Sequence, residues 1–313
     1  MIQGSADLGT SHRAKGKGAN GPGSNDLGSS HQVLSSTCTD LGTTHEGEDC
    51  AKVDVEETQV EHEEGAGVPL EGTEFKCYQQ QAARANYLCL DRPDIGFATK
   101  ELMRRMSAPT DVDFAALKKL GRYLLGKPRV VSTFRYGESS NELIVEGDSD
   151  HAGCLKTRKS TSGGVIRWGS HVLKWWSKTQ PTIALSSGEA ELAAMVRSTS
   201  EGLGMVAIMK EFNLEANLTV KGDAVAAIGI VRRQGLGRIR HLAVADLWIQ
   251  QRSKDGCVAY SKLEGARNTS DILTKAVEAE VLNRHMAELG LEFTEGRHES
   301  TPAYNGIDDG TPC

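Results

Sequence analysis

Apolar residues recur at helical spacing over 79–92, 95–106 and 113–126. Ala82, Tyr87 and Leu90 mark the first stretch, Phe97, Leu102 and Met106 the second, and Phe114, Leu117, Leu120 and Leu124 the third. Pro93, Pro109 and Pro128 punctuate them. The pattern then turns β-like. Glu142–Asp148 reads as a strand, Gly163–Trp168 as a second and His171–Trp176 as a third, with Gly169-Ser170 closing a hairpin between the last two. Ser187 to Phe212 predicts a long helix, with Leu192, Met195, Val196, Thr199, Leu203 and Val206 along one stripe. Leu218–Lys221 reads as a strand, Ala224–Arg232 and Ile239–Arg252 as helices, Cys257–Leu263 as a last strand and Ile272–Leu289 as a closing helix. Three strands followed by alternating helices and strands predict an α/β layer fold with an antiparallel opening and a parallel remainder.

Outside this block the pattern disappears. Residues 1 to about 72 are Gly, Ser, Thr, Asn and acid, too poor in apolar surface to offset the entropy of ordering, so disorder is expected there. Asp7–His12, Asp26–His31 and Asp40–His45 repeat a short theme without the fixed period of a solenoid. From Glu295 the chain returns to Gly, Pro and acid. Charge divides the same way. Residues 1–75 carry 4 Lys/Arg against 14 Asp/Glu, a net of −10, whereas 76–293 carry 31 against 24, a net of +7. The overall −6 therefore conceals a basic middle, the usual footprint of a polyanionic partner.

No run approaches the roughly 20 apolar residues of a membrane span, and the N-terminus has no apolar secretory core, so no membrane contact is expected. Seven scattered cysteines without a Cys-x-x-Cys pair predict a reducing, intracellular setting, cytoplasm or nucleus. Cys38, His45 and Cys50 fall short of a four-ligand zinc site.

The candidate chemistry is carboxylate. Asp148 closes the first strand, Glu189 and Glu191 open the long helix, Asp223 closes the fourth strand and Asp271 opens the last helix. In an α/β sheet such positions converge on one edge, where clustered carboxylates repel unless hard divalent cations neutralise them. Taken singly, Asp223 and Asp271 serve equally well as N-caps, and Asp150 as a turn residue. Ser186 and Glu189 have the spacing of a capping box, and Glu191 lies about 200° further round the helix.

Several ordered strings carry a resemblance. They are Tyr87–Ile95, Met106–Thr110, Leu117–Leu124, Gly147–Gly153, Arg158–Gly163, Lys178–Thr182, Ala184–Glu191, Asp223 with Ala227-Ile228, Arg240-His241, and Asp271–Lys275. In this order the sequence, from about Ala82 to Leu291, resembles the ribonuclease H domain, with its preceding connection segment, of copia-type retrotransposon Pol polyproteins. The resemblance implies a ribonuclease H-like fold: a mixed five-stranded sheet with helices on both faces, preceded by the disordered tract and a small helical segment. It implies a catalytic, metal-binding tetrad of Asp148, Glu191, Asp223 and Asp271, two Mg²⁺ ions for which Mn²⁺ can substitute, and an RNA–DNA hybrid as partner and substrate.

The sequence departs from the family pattern at His151 and Leu192, where aromatics are usual, and at Ala224 and Ser270. The loop Glu264–Ser270 has no His to aid proton transfer or product release, which predicts slow turnover. No polymerase palm motif is present. Tyr304–Asp309 lies in a polar tail without flanking strands, so a reverse transcriptase polymerase domain is expected, if anywhere, outside this chain. Arg232, Arg233, Arg238, Arg240 and His241 form a basic run suited to phosphate contact, and Asn268 is a candidate for orienting nucleic acid or capping its turn.

The expected organisation is a disordered acidic tract at 1–75, a helical connection segment at 76–138, a ribonuclease H-like domain at 139–292 and a disordered tail at 293–313. The expected function is hydrolysis of the RNA strand of RNA–DNA hybrids. The rivals are a catalytically idle nucleic-acid-binding relic of the same fold and a DDE-type integrase or transposase domain.

Overall fold

The computed structural model describes residues 67–136, 140–237 and 244–296, all within one compact unit, Glu56–Cys313. Most of the acidic tract with its three repeats, Arg238, Arg240, His241 and the Tyr304 string lie outside the described residues.

The first three helices are α1 (Gly72–Leu88), α2 (Gly96–Met103) and α3 (Asp111–Gly126). Their apolar stripes meet in one cluster of Leu70, Tyr78, Ala82, Ala85, Ile95, Leu102, Leu117 and Leu120. Two polar side chains buried with it, Tyr78 and Arg92, are paired, as burial demands. Tyr78 Oη donates to the Leu102 carbonyl at 2.8 Å, and Arg92 grips Asp94 with two nitrogens at 2.7 and 2.9 Å. Thr110 and Asp113 form the capping box that starts α3. The folded body begins earlier than composition suggested. Leu70 N–H donates to the Pro109 carbonyl and Asp111 N–H to the Val68 carbonyl, so residues 68–75, assigned to the acidic tract, belong to this cluster.

The main sheet comprises β2 (Glu142–Asp150), β3 (Thr161–Trp168), β4 (His171–Thr179), β5 (Asn217–Gly222) and β6 (Ala259–Lys262), in the order β4-β3-β2-β5-β6. The pairs β2/β3 and β3/β4 are antiparallel, and β2/β5 and β5/β6 parallel. This is a ribonuclease H-like fold. Alternation along β2 sends Leu143 and Val145 to one face and Glu146 and Asp148 to the other.

On the first face lie α4 (Ser187–Glu211), α5 (Val225–Arg232) and α6 (Trp248–Lys254), closing a core of Leu143, Val145, Leu192, Met195, Val220, Ile228 and Ile249. Gly202 lets α4 approach closely, because a Cβ there would stand 2.7 Å from Leu218 Cδ1 and 3.0 Å from Val145 Cγ2. The second face carries a 3₁₀ turn, Thr269–Leu273, and α7 (Ala279–Glu288) over Val165, Met286 and Leu289. Trp176 sits in the first core, whereas Trp175 on the opposite face packs against both the helical cluster and the second-face cluster. A Cβ on Gly96 would stand 2.6 Å from that Trp175 ring, so this glycine seats α2 on the sheet.

Two expected elements differ, and one element was not expected. The closing helix does not run from Ile272; Thr269–Leu273 is a 3₁₀ turn, and α7 begins only at Ala279. The reason is tertiary: Thr269 and Thr274 bond carboxylates of β2, as described below, and those anchors stop the turn from continuing as an α-helix. The helix expected over Ile239–Arg252 appears in its described part as a 3₁₀ turn, Val244–Leu247, followed by α6. Finally, β1 (Arg129–Ser132) and β7 (Leu291–Thr294) form an unforeseen two-stranded antiparallel ribbon. It ties the segment after α3 to residues 293 and 294, which were assigned to the tail.

Candidate metal centre

Asp148 lies near the C-terminal end of β2, is nearly fully buried and has both oxygens occupied. Asn268 Nδ2 donates to Oδ1 at 3.3 Å and Thr274 Oγ1 to Oδ2 at 2.5 Å. Asp223 directly follows β5, the parallel neighbour of β2, so sheet pairing brings it beside Asp148. Glu191 is delivered by the second turn of α4. One carboxylate oxygen from each of Asp148, Glu191 and Asp223 lies within 4.8 Å of the others. Asp271 stands outside that set. Its Oδ2 is 3.0 Å from Lys275 Nζ, four residues along, although its charge still reaches both Asp148 and Glu191.

The electrostatics follow from this crowding. Burial, then the charge of Asp271, pushes the Asp148 carboxyl up to about 7, against the opposing hydrogen bond from Thr274. Burial, then the charges of Asp148 and Asp223, pushes Glu191 up to about 9, against a hydrogen bond from the Ser149 backbone. Both acids therefore resist ionisation until positive charge arrives. A donor set made only of carboxylate oxygen suits a hard divalent cation such as Mg²⁺, and these residues fit one.

The other singled-out residues find different work. Asp150, expected as a turn residue, is instead the last residue of β2 and accepts a hydrogen bond from its cross-strand partner Thr161 N–H. Ser186 caps α4 by accepting from Glu189 N–H at 3.3 Å. Glu189 Oε2 accepts from Leu185 N–H at 2.7 Å, one residue before the N-cap, so the reciprocal bond of a strict capping box is displaced by one position. Asn268, a candidate for nucleic-acid contact, is fully buried. Its amide caps the 3₁₀ turn through Ser270 N–H and holds Asp148, which leaves the capping alternative standing. Arg232 is exposed, with Nη2 donating to the Tyr260 carbonyl at 2.8 Å, and Arg233 Nη2 donates to the Leu236 carbonyl at 2.6 Å. Of the departures from the family pattern, Leu192 is core, and Ala224 occupies the α5 N-cap without a side-chain bond.

Sequence reasoning missed three supports. Glu146, buried one pleat before Asp148, accepts from Arg167, Thr269 Oγ1 and Thr269 N–H. Gln180 Nε2 bridges Ser162 Oγ and the Ala190 carbonyl, both at 2.9 Å, and so joins the sheet to α4. Thr274 holds Asp148. Gln180 and Thr274 lay inside quoted motifs, which were the available signal, whereas nothing marked Glu146 out from an ordinary solvent-facing strand residue.

No family model matches the chain. It is 38% identical over 117 residues to an uncharacterised mitochondrial protein of Arabidopsis thaliana, AtMg00810, covering 37% of this chain and 48% of that one. It is 26% identical over 217 residues to the retrovirus-related Pol polyprotein from transposon RE1 of Arabidopsis thaliana, covering 68% of this chain and 15% of the polyprotein. Its homologues include the retrovirus-related Pol polyproteins of copia-type transposons. The chain thus spans about half of one relative and a small fraction of the other. Among solved structures it is similar to LC11-RNase H1 in complex with an RNA/DNA hybrid, at 14% identity and a TM-score of 0.32, covering 42% of this chain and 94% of that one.

Proposed function

We propose that this chain is the ribonuclease H portion of a copia-type Pol polyprotein and acts as a metal-dependent endoribonuclease on the RNA strand of RNA–DNA hybrids. The observation that carries the reading is the convergence of Asp148, Glu191 and Asp223 from three separate elements to within 4.8 Å, with Asp271 beside them. Four carboxylates gathered at one sheet edge destabilise the metal-free fold, so their assembly makes physical sense as a cation site.

In this reading Asp148, Glu191, Asp223 and Asp271 hold two Mg²⁺ ions, and Mn²⁺ can substitute. Bound there, the pair supplies an activated water and stabilises the leaving 3′-oxygen of the scissile phosphodiester. Asn268 and Thr274 keep Asp148 in one orientation, with both its oxygens anchored from the protein side. Glu146 anchors the turn that carries Asn268 and Asp271. Exposed Arg232, with Arg233, Arg238, Arg240 and His241, takes phosphates of the hybrid, which fixes position without reading sequence. The 2′-hydroxyls of the RNA strand supply the means of telling it from DNA. Residues 76–138 form the connection to a reverse transcriptase polymerase domain outside this chain, and the setting is intracellular.

The test is cleavage by the purified chain with Mg²⁺ or Mn²⁺. A labelled hybrid should be cut within its RNA strand, single-stranded RNA and duplex DNA should survive, and Asp148→Asn should be inactive. Hybrid cleavage that continues in excess EDTA would sink the metal-dependent reading. Strand transfer onto target DNA would instead identify an integrase-like domain.

A further inference from the structure

The residue that completes the cluster electrostatically is not an acid. Lys275 lies four residues after Asp271, just past the 3₁₀ turn, with its ammonium 3.0 Å from Asp271 Oδ2. The lysine side chain is 53% exposed and the aspartate 21%, so the pair lies where the buried site opens to water. The lysine charge also reaches Asp148 and Asp223, and Asp148 in turn feels it as the favourable charge opposing Asp271. The carboxylate that Lys275 holds is the one that does not join the other three within 4.8 Å.

We propose that Lys275 is the resident counter-ion of this cluster: it competes with divalent metal for Asp271 and so sets the metal concentration at which the site fills. The inference rests on reading the cluster as a metal centre. It adds that the fourth carboxylate is exchanged between an ammonium of the same chain and the metal. Two physical points support it. Crowded carboxyl groups favour nearby positive charge in the metal-free state, and a flexible lysine at the solvent edge provides it reversibly, because its ammonium can return to water when displaced. An oxygen engaged by an ammonium at 3.0 Å must give up that bond, or share it, before it can ligate a metal. The two equilibria are therefore coupled, and removing the lysine should tighten metal binding by the same factor that metal weakens the ion pair.

The test is Mg²⁺ titration calorimetry on the full chain at fixed pH and ionic strength, comparing the wild type with Lys275→Gln and Lys275→Arg, each confirmed folded by circular dichroism. Lys275→Gln should bind Mg²⁺ about fivefold more tightly or better, the lower end of typical coupling between sites. Lys275→Arg, which keeps the charge, should stay within about twofold of the wild type. Equal affinity in wild type and Lys275→Gln overturns the proposal and leaves the metal centre intact. Weaker binding by Lys275→Gln also overturns it, since the lysine would then be holding Asp271 ready for the metal. Absence of Mg²⁺ binding in every form removes the metal centre itself, and the role of Lys275 falls with it.

Discussion

Glu189 and Glu191 show how two positions separate structure from chemistry. Glu189 closes the start of α4 through Leu185 N–H, so Glu189→Gln should cost about 1 kcal/mol, the usual worth of a helix-start bond, and leave most hybrid cleavage. Glu191 is crowded by its neighbours in the metal-free protein, being pushed up to about 9 by burial and by Asp148 and Asp223 against one bond from the Ser149 backbone. Glu191→Gln should therefore keep or raise the melting temperature while abolishing cleavage. The opposite pattern would reverse the assignment of the two acids. A pH dependence follows from the same groups. An unfolded carboxyl releases its proton near pH 4, but folded Asp148 and Glu191 keep theirs until about 7 and 9. Between these limits the folded state binds more protons than the unfolded one, so metal-free stability falls as pH rises. Melting in EDTA should fall from pH 5 to pH 9, and Mg²⁺ affinity should rise over pH 6–9 as metal displaces those protons. A flat melting profile would show that the two acids are not perturbed.

The 3₁₀ turn Thr269–Leu273 is the element on which the centre depends, and it is held by side chains rather than by its own propensity. Glu146 takes two hydrogen bonds from Thr269, and Asp148 takes one each from Asn268 and Thr274. The turn is thus fastened to β2 at successive same-face positions. Thr269→Val keeps the shape but removes a hydroxyl donated to a buried carboxylate. A loss of about 1.5–3 kcal/mol is expected, the range for hydrogen bonds to charged groups. Mg²⁺ affinity should fall with it, because Asp271 rides on the loosened turn. Stability lost without any change in metal affinity would show that the Glu146 anchor serves the fold alone. This element was the least legible in the sequence. Helical periodicity continued through 272–289, and no local signal competes with it; what breaks the helix lies about 120 residues away in β2.

The helical segment and the sheet form one packed body. Trp175 reaches from β4 into the helical cluster, Gly96 makes room for it, and β1 pairs with β7 after α7. The described part of the segment, residues 76–136, therefore shares its core with the main sheet instead of hanging from it. Truncation sharpens the point. A chain beginning at residue 67 keeps Leu70 and the strand-like bonds of Val68 and Leu70 to the start of α3, and one beginning at residue 76 loses them along with the first turn of α1. The shorter form should melt several degrees lower, since burying a leucine is worth about 1.5–3 kcal/mol and a domain of this size shifts about 2–4 °C per kcal/mol. Equal melting temperatures would place the true start of the body at residue 76.

The sequence alone determined the elements whose cause is local. The α4 stripe, the β3–β4 hairpin, the alternation of β2 and the cap at Ser186 all follow from spacing and from side chains within a few residues of one another. Ordered motifs also singled out Asp148, Glu191, Asp223 and Asp271 as candidates. Tertiary structure alone decided how those acids are arranged. Parallel pairing of β2 with β5 brought Asp223 to Asp148, and anchoring by Glu146 and Asp148 turned a predicted helix into a 3₁₀ turn. Asp271, carried on that anchored turn, stands outside the close set. Contacts between residues 75 to 126 positions apart leave no periodicity in a sequence, and their energies appear only once the chain has closed on itself.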